Sequence, residues 1–313
     1  MANRRIFISG ICGCLGSNLV EHLIPQGYEI VGIDNYSTGD RKFQSTHSNL
    51  KILEGSVQDR GFVGKIFEDF RPEVIIHSAA FYKDPKDCQE DVDTNIGGAI
   101  CMSDLASQYE VKHLINFQTA LCYGRPSKTP IPIEADTRPF TSYGISKTAG
   151  EAYLLNSGVS VTSLRLANIC GPRLSIGPIP TFYKRLKADL ECFCTDSTRD
   201  FLDVSDFNAL IDLLLSTAGP DSNQVLNVST GESTSILQIY ELIASHLGVS
   251  SEGVPVVPVG GDDVQHVILD PSETESKLGW KARFDFKTTL ARQLEWYDDN
   301  GIENIYSHLT DKG

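Results

Sequence analysis

Short apolar runs alternate with longer amphipathic stretches through the first half of the chain. The runs are rich in β-branched residues and predict buried strands at 5–9, 29–34, 51–54, 73–77, 113–118 and 159–166. Between the strands, helical spacing of apolar positions predicts helices such as 16–24 and 62–70, each followed by proline. Strands that alternate with helices are typical of a parallel sheet with crossover helices. The pattern therefore predicts an α/β fold with a doubly wound, Rossmann-type sheet.

This regular alternation ends soon after the sixth predicted strand. Residues 171–180 are rich in glycine and proline, and residues 254–258 form another stretch interrupted by proline. We therefore expect a larger domain over residues 1–165 and a smaller C-terminal lobe over residues 166–313. Segments of the lobe are expected to return to the sheet.

Composition and charge exclude several partners. The chain has 313 residues, 41% of them hydrophobic, which suffices for a substantial core, and its formal net charge is −14. Such a surface repels nucleic acid and anionic membranes, so an anionic ligand requires a local basic pocket. The first residues lead directly into a strand pattern without an export signal, and no apolar run reaches the roughly 20 residues that span a bilayer. We expect a cytoplasmic protein with reduced cysteines and no metal.

A glycine motif follows the first predicted strand directly. Gly10, Gly13 and Gly16 permit a tight turn, and the following helix points its free N–H groups at a pyrophosphate. The second strand ends in Asp34, where a carboxylate accepts hydrogen bonds from an adenosine ribose and repels a 2′-phosphate. The arrangement predicts NAD rather than NADP as cofactor. A glycine-rich turn without a ligand and a turn-forming aspartate remain the alternatives.

A candidate acid–base pair lies on a helix predicted to begin near Thr141. Tyr143 and Lys147 are four residues apart and so share one helix face. An ammonium beside a phenol favours the phenolate, which lowers the pKa of the phenol from about 10 towards neutrality. Thr119 follows the fifth predicted strand, at the sheet edge where ligands of open α/β sheets gather. Its hydroxyl could hydrogen-bond the same substrate oxygen that Tyr143 deprotonates. A Tyr-x-x-x-Lys pair on a solvated helix face is the alternative.

With these motifs in order across nearly the whole chain, the sequence resembles the NAD-dependent nucleotide-sugar epimerase/dehydratase family of extended short-chain dehydrogenases/reductases. The likeness is greatest to epimerases of bacterial lipopolysaccharide O-antigen clusters. It rests on the glycine motif, 34–39, 77–80, Asn95, 119–124, Tyr143 with Lys147, 165–168, 171–172, 199–201 and 278–280.

The resemblance implies a role for each matching residue. Tyr143 is the base, Lys147 binds the nicotinamide ribose, and Thr119 stands where relatives carry Ser or Thr. The implied cofactor-binding residues are Gly10, Gly13, Cys14, Leu15, Gly16, Asp34, Asn35, Ser37, Thr38, Gly39, Ser56, Val57, Ser78, Ala79, Ala80, Asn95, Tyr143 and Lys147. The implied substrate-binding residues are Tyr82, Thr119, Asn168, Lys184 and Arg199. Residues 1–165 would then bind NAD, and residues 166–313 the substrate.

Positions at which this chain departs from the family pattern indicate which of the family's reactions it catalyses. Relatives that eliminate water carry an acid and a base after the active-site threonine, where this chain has Ala120 and Leu121. We therefore expect a UDP-hexose 4-epimerase, acting on a hexose or its acetamido or uronic derivative through a transient 4-keto sugar. A dehydratase or reductase of the same family, or a non-catalytic NAD-binding regulator, is the alternative. Near Gly260 the family usually supplies a phosphate-binding arginine, and Lys184 and Arg173 are candidate replacements.

The sequence leaves the sugar, its stereocentre and the nucleotide open. Helices near 92–109 and 143–155 resemble those through which relatives dimerise, so we expect a homodimer.

Overall fold

The computed structural model describes residues 4–43, 45–82, 86–216, 219–220, 222–261 and 263–306. Its strands are β1 Arg5–Ser9, β2 Glu29–Asp34, β3 Leu50–Glu54, β4 Val74–His77, β5 His113–Thr119, β6 Val161–Leu166, β7 Asn168–Cys170, β8 Cys194–Thr195, β9 Thr198–Arg199, β10 Phe201–Asp203, β11 Gln224–Val228, β12 Thr234–Ser235, β13 Val256–Val257 and β14 His266–Val267. Its α-helices are α1 Cys14–Leu23, α2 Arg60–Phe70, α3 Cys88–Asp91, α4 Gly98–Gln108, α5 Ser142–Leu155, α6 Pro178–Lys187, α7 Val204–Ser216, α8 Ile236–Leu247, α9 Ser272–Leu278 and α10 Phe286–Asn300. A π-helical segment, Val92–Gly97, joins α3 to α4.

Within the described ranges, seven strands form one parallel sheet in the order β11-β6-β5-β4-β1-β2-β3. The strand order reverses on either side of β1, which confirms the predicted doubly wound fold. Ser9 at the end of β1 pairs with Ile33 and with His77, and Thr119 pairs with Leu166. The carboxyl ends of the central strands therefore meet at one edge of the sheet.

Alternate residues of β1 pack into different cores. Ile6 and Ile8 contact one apolar cluster that also holds residues of α1 and α7, whereas Phe7 contacts a second cluster with residues of α2 and α4. Because helices cover both faces of the sheet, side chains on both faces of each strand are buried, and the strand sequences are therefore continuous apolar runs. A third cluster, formed largely by α6, α8 and α10, is the core of the C-terminal region.

Side-chain caps set several helix boundaries. Asp59 caps α2 by accepting a hydrogen bond from the Phe62 N–H, and Thr141 caps α5 in the same way. Helix α1 has Gly13 as its N-cap and therefore no side-chain cap. The helix begins at Cys14, two residues earlier than the sequence predicts. Leaving the helix N–H groups without a capping side chain keeps them available to a ligand.

A strand from the C-terminal part of the chain completes the edge of the sheet, where β11 pairs in parallel with β6. The division of function at residue 165 stays a prediction. In the described part of the chain, no helix has the length and apolar character needed to cross a membrane, and no group of His, Cys, Asp and Glu is placed to hold a metal.

Candidate active site

A cavity of about 310 Å³ opens at the carboxyl edge of the sheet. Its walls come from the glycine loop, from the ends of β1, β2, β4, β5 and β6, and from the first turns of α5 and α6. This edge is where open α/β sheets bind their ligands, because the strand ends and helix N-termini converge there.

The glycine loop forms a tight turn that only glycine fits. Gly10 has a φ of +70°, and a Cβ there would lie 2.8 Å from the Ala79 backbone. A Cβ on Gly16 would lie 2.3 Å from the Gly10 carbonyl oxygen. The Gly13 N–H donates to that same carbonyl, at 3.2 Å. The loop therefore presents bare backbone to the cavity, as close approach of a pyrophosphate requires.

Asp34 fixes the loop beside the second strand. Its carboxylate accepts hydrogen bonds of 2.8 Å from the backbone N–H groups of Cys12 and Tyr36. Burial raises the pKa of this carboxyl above its usual value, while the backbone hydrogen bonds oppose the rise. Asp34 lines the cavity, and its position is the one in which a carboxylate contacts an adenosine ribose.

Tyr143 and Lys147 lie on the face of α5 that lines the cavity. The edge of the Tyr143 ring contacts Tyr82, with ring centroids 6.3 Å apart. The Gln118 side chain donates to the Lys147 carbonyl oxygen at 2.9 Å and accepts from the Thr119 N–H at 2.8 Å. Gln118 thus links the end of β5 to the helix and fixes the spacing between the threonine and the acid–base pair.

The two titratable side chains have shifted pKa values. Burial raises the pKa of Tyr143 above its usual value, and Tyr82 and Asp91 add to the rise. The sequence instead predicts a lowered value from the nearby ammonium alone, which neglects the desolvation of the ring. Burial lowers the pKa of Lys147 to about 8, and Glu151 opposes that fall. A lysine so tuned sits close to its titration midpoint at physiological pH.

Arg199 also lines the cavity, and its Nη2 donates to both carboxylate oxygens of Asp263. Its guanidinium lies 2.7 and 2.8 Å from the two carboxylate oxygens of Asp263. Burial lowers the pKa of Arg199, and Asp263 opposes the fall. A guanidinium held in one orientation by a carboxylate is well prepared to receive a phosphate.

Most of the predicted site residues line this one cavity. They are Gly10, Gly13, Cys14, Leu15, Asp34, Asn35, Ser37, Thr38, Ser56, Val57, Ser78, Ala79, Ala80, Tyr82, Thr119, Tyr143, Lys147, Asn168 and Arg199. Four others, Gly16, Gly39, Asn95 and Lys184, lie outside its lining.

These four have other contacts. Gly16 packs beneath the glycine loop, and a Cβ on Gly39 would lie 2.8 Å from an Asp34 carboxylate oxygen. Lys184 is exposed and donates to the Glu303 carbonyl oxygen at 2.6 Å. The other candidate for the phosphate, Arg173, forms a bidentate pair with Glu21.

Asn95 does not line the cavity but holds part of its wall in place. Its amide accepts a hydrogen bond from the Phe81 N–H at 2.8 Å and donates to the Phe81 carbonyl at 3.1 Å and the Ser146 hydroxyl at 3.0 Å. The side chain therefore fixes the chain beside Tyr82 without lining the cavity.

Sequence reasoning missed two parts of the site. Asp263 lies 64 residues from Arg199, and only the fold brings the two together. The apolar wall at 174 and 176–179 comes from a glycine- and proline-rich stretch that the sequence marks only as irregular. The signal in the sequence that could have located this wall is Gly177 before Pro178, which marks a turn at the start of α6; in the structure Gly177 has a φ of +91°.

Comparison with known proteins gives a consistent result. Residues 6–229 match the model of the NAD dependent epimerase/dehydratase family. The chain is 55% identical to the Bordetella bronchiseptica enzyme WbmG, crystallised with NAD and UDP; the match covers 99% of both chains with a TM-score of 0.92. It is 28% identical to the UDP-glucose 4-epimerase of Thermotoga maritima, crystallised with UDP-glucose, over 94% of this chain and 99% of that one, with a TM-score of 0.86. The UDP-glucose 4-epimerase of Mycolicibacterium smegmatis is 27% identical, over 94% of this chain and 98% of its own.

Proposed function

Since the chain belongs to the NAD-dependent epimerase/dehydratase family, we propose that it is a nucleotide-sugar 4-epimerase that acts on a UDP-hexose or its acetamido or uronic derivative. The observation that carries the proposal is the convergence of Thr119, Tyr143 and Lys147 on one cavity with the glycine loop. Those groups are what a reversible oxidation of one sugar hydroxyl requires.

The residues of the crevice fit NAD. The backbone at Gly10 and Gly16 leaves no room for a Cβ, so the loop can approach a pyrophosphate, and Asp34 stands where an adenosine ribose binds. When bound there, NAD would supply a reversible hydride acceptor, which would make the cycle redox-neutral.

The chain's own residues handle the proton. Tyr143 takes the proton of the sugar hydroxyl and gives it back to the keto oxygen after the sugar has turned over. Thr119 donates a hydrogen bond to the same oxygen, and Lys147 binds the nicotinamide ribose. Because burial raises the pKa of Tyr143, the phenolate depends on positive charge from Lys147 and from the bound cofactor.

The substrate side of the cavity supports a nucleotide diphosphate. Arg199 and Asn168 both line it. Relatives usually carry a second phosphate-binding arginine near the position of Gly260, so Arg199 is the arginine of the lining that is left to bind the phosphates. WbmG and the Thermotoga epimerase were crystallised with UDP and UDP-glucose respectively, which favours a UDP-linked substrate.

The neighbours of Thr119 favour epimerisation over elimination. Ala120 and Leu121 follow it and also line the cavity. Neither side chain can transfer a proton, so a step that removes water across C5 and C6 lacks its acid and base.

We expect the purified protein with bound NAD to interconvert the C4 epimers of a UDP-sugar without net formation of NADH. A panel of UDP-sugars followed by NMR at the anomeric and H4 signals, with absorbance at 340 nm recorded in parallel, tests this. Stoichiometric NADH would point to a dehydrogenase, and loss of the C6 hydroxyl signals to a dehydratase. Failure to convert any of the UDP-sugars while NAD stays bound would favour the non-catalytic regulator.

The proposal extends to the assembly and the cellular role. Val92, Ile145 and Tyr153 are large apolar side chains that are 45%, 50% and 54% exposed. Ile145 and Tyr153 are residues of α5 outside the cavity lining, and Val92 begins the π-helical segment packed against α5. An exposed apolar face on two packed helices supports a homodimer formed through them. Cytoplasmic supply of sugars for lipopolysaccharide O-antigen is the role we infer from the sequence resemblance.

We expect the double substitution Ile145→Glu with Tyr153→Glu to convert a dimer into a monomer, because it places two charges in an apolar interface. Sedimentation velocity at equal concentrations measures the change. Leu213→Glu, which alters another exposed apolar residue on α7, is the matched control and should leave the dimer intact. A native chain that sediments as a monomer would contradict the assembly.

A further inference from the structure

A buried ion pair lies beneath the catalytic helix. Glu151 of α5 and Arg165 of β6 have side chains that are only 4% and 10% exposed, and a guanidinium nitrogen lies 2.9 Å from a carboxylate oxygen. The Ser163 hydroxyl donates to the other carboxylate oxygen at 2.6 Å. Both oxygens of Glu151 are therefore held by partners on the neighbouring strand.

The pair continues into a hydrogen-bonded chain that reaches the edge of the sheet. Arg165 donates to the Tyr123 hydroxyl at 3.0 Å, and that hydroxyl donates to the Asn227 side chain of β11 at 2.8 Å. Burial raises the pKa of Tyr123 to about 12, so the phenol stays protonated and can keep this donor role. Arg165 thus connects Glu151 to a rigid part of the fold.

Glu151 has the right position to act on Lys147. Tyr143, Lys147 and Glu151 follow one another at intervals of four residues, so all three share one face of α5. Lys147 has only 5% exposure, and a buried ammonium is costly unless a negative charge lies nearby. Breaking such a pair leaves a buried charge uncompensated, so Glu151 needs Arg165 as well.

We propose that Glu151, held in place by Arg165, is a positioning residue that keeps the ammonium of Lys147 charged. The inference rests on the proposed function for its catalytic meaning, though not for its effect on Lys147.

The other groups around Lys147 cannot replace Glu151. His77, from β4, is buried and hydrogen-bonded to Ser9, and burial together with Lys147 lowers its pKa to about 3, so it is neutral. Tyr143 is a neutral phenol unless positive charge from Lys147 and the bound cofactor offsets the rise that burial causes in its pKa. Asp91 of α3 is buried but acts on Tyr143. Among the residues that the structure describes, Glu151 is the one carboxylate that raises the pKa of Lys147.

The sign of the expected shift follows directly. Lys147 is charged below its pKa, so removing the Glu151 charge lowers the pH at which the ammonium is lost. Removing the Arg165 charge has the opposite effect, because Glu151 is then no longer neutralised. A purely structural role for the pair would lower activity equally at every pH and would leave the titration of Lys147 unchanged.

The test is a titration of Lys147 by NMR in the full chain with ¹³C-labelled lysine, its signal assigned with Lys147→Arg. We expect Glu151→Gln to move the titration midpoint down by about one to two pH units, and Arg165→Met to move it up. The matched control is Glu273→Gln, which removes the carboxylate of an exposed i,i+4 pair with Lys277 and should change nothing. An unchanged midpoint in Glu151→Gln overturns the proposal.

A second variant keeps the test decisive if a single substitution prevents folding. Glu151→Gln combined with Arg165→Met leaves no unpaired buried charge, and its midpoint should still lie below that of the native chain. A midpoint at or above the native value overturns the inference. The titration needs no substrate, so a shifted midpoint in a protein without epimerase activity would refute the proposed function and leave this inference standing. In active protein, the alkaline fall of kcat/KM should move with the midpoint.

Discussion

Replacing Tyr143 by phenylalanine is expected to lower turnover about 10³-fold while NAD stays bound. The substitution removes the hydroxyl that exchanges a proton with the sugar, and positioned acid–base groups typically contribute 10²- to 10⁴-fold. The ring keeps its edge contact with Tyr82, so the cavity wall should persist. Steady-state epimerisation, together with the nucleotide released on denaturation, measures both effects.

The same helix offers a matched control for that experiment. Tyr153 of α5 is 54% exposed and lies outside the cavity lining, so Tyr153→Phe removes a hydroxyl without touching the cavity. It should retain native turnover. Near-native turnover in Tyr143→Phe would refute the tyrosine as the base.

Replacing Arg199 by methionine is expected to weaken UDP binding about 100-fold with little change in NAD content. A charge-assisted bidentate contact contributes roughly 1.5–3 kcal/mol. The variant also leaves the Asp263 carboxylate in the cavity lining without its partner, which we expect to add repulsion towards the phosphates of UDP. Isothermal titration with UDP measures the loss.

A control for the loss of an arginine is Arg138→Met. Arg138 is largely exposed and pairs with Asp136, outside the cavity, so UDP affinity should not change. Equal UDP affinity in Arg199→Met and the native chain would remove Arg199 from the substrate site.

Much of the fold follows from local sequence signals. The apolar strand runs and the proline and glycine stops indicate the order of elements because neighbouring residues determine them. The glycine motif could be recognised for the same reason, because the positive φ of Gly10 and the contact of Gly16 with the Gly10 carbonyl oxygen arise within seven residues, whereas the contact of Gly10 with Ala79 comes from the fold. Tyr143 and Lys147 are likewise fixed by the repeat of a single helix.

What the sequence could not supply depends on contacts between distant segments. Asp263 becomes the partner of Arg199 only after β9 and the segment before β14 come together. The raised pKa of Tyr143 depends on burial against Tyr82 and on Asp91, neither of which is adjacent to it in sequence. The contacts of Asn95 with the chain at Phe81 are of the same kind.

Through Asn95, a single amide joins the cavity wall at Phe81 to the catalytic helix at Ser146. We therefore expect a change in this wall to be transmitted through Asn95 to the helix that carries Tyr143 and Lys147. Another part of the cavity lining, at Gly177 and the apolar residues around it, comes from a different stretch of the chain. We expect substitutions there to be the better starting point for selection experiments aimed at altered specificity, because they leave the contacts of Asn95 in place.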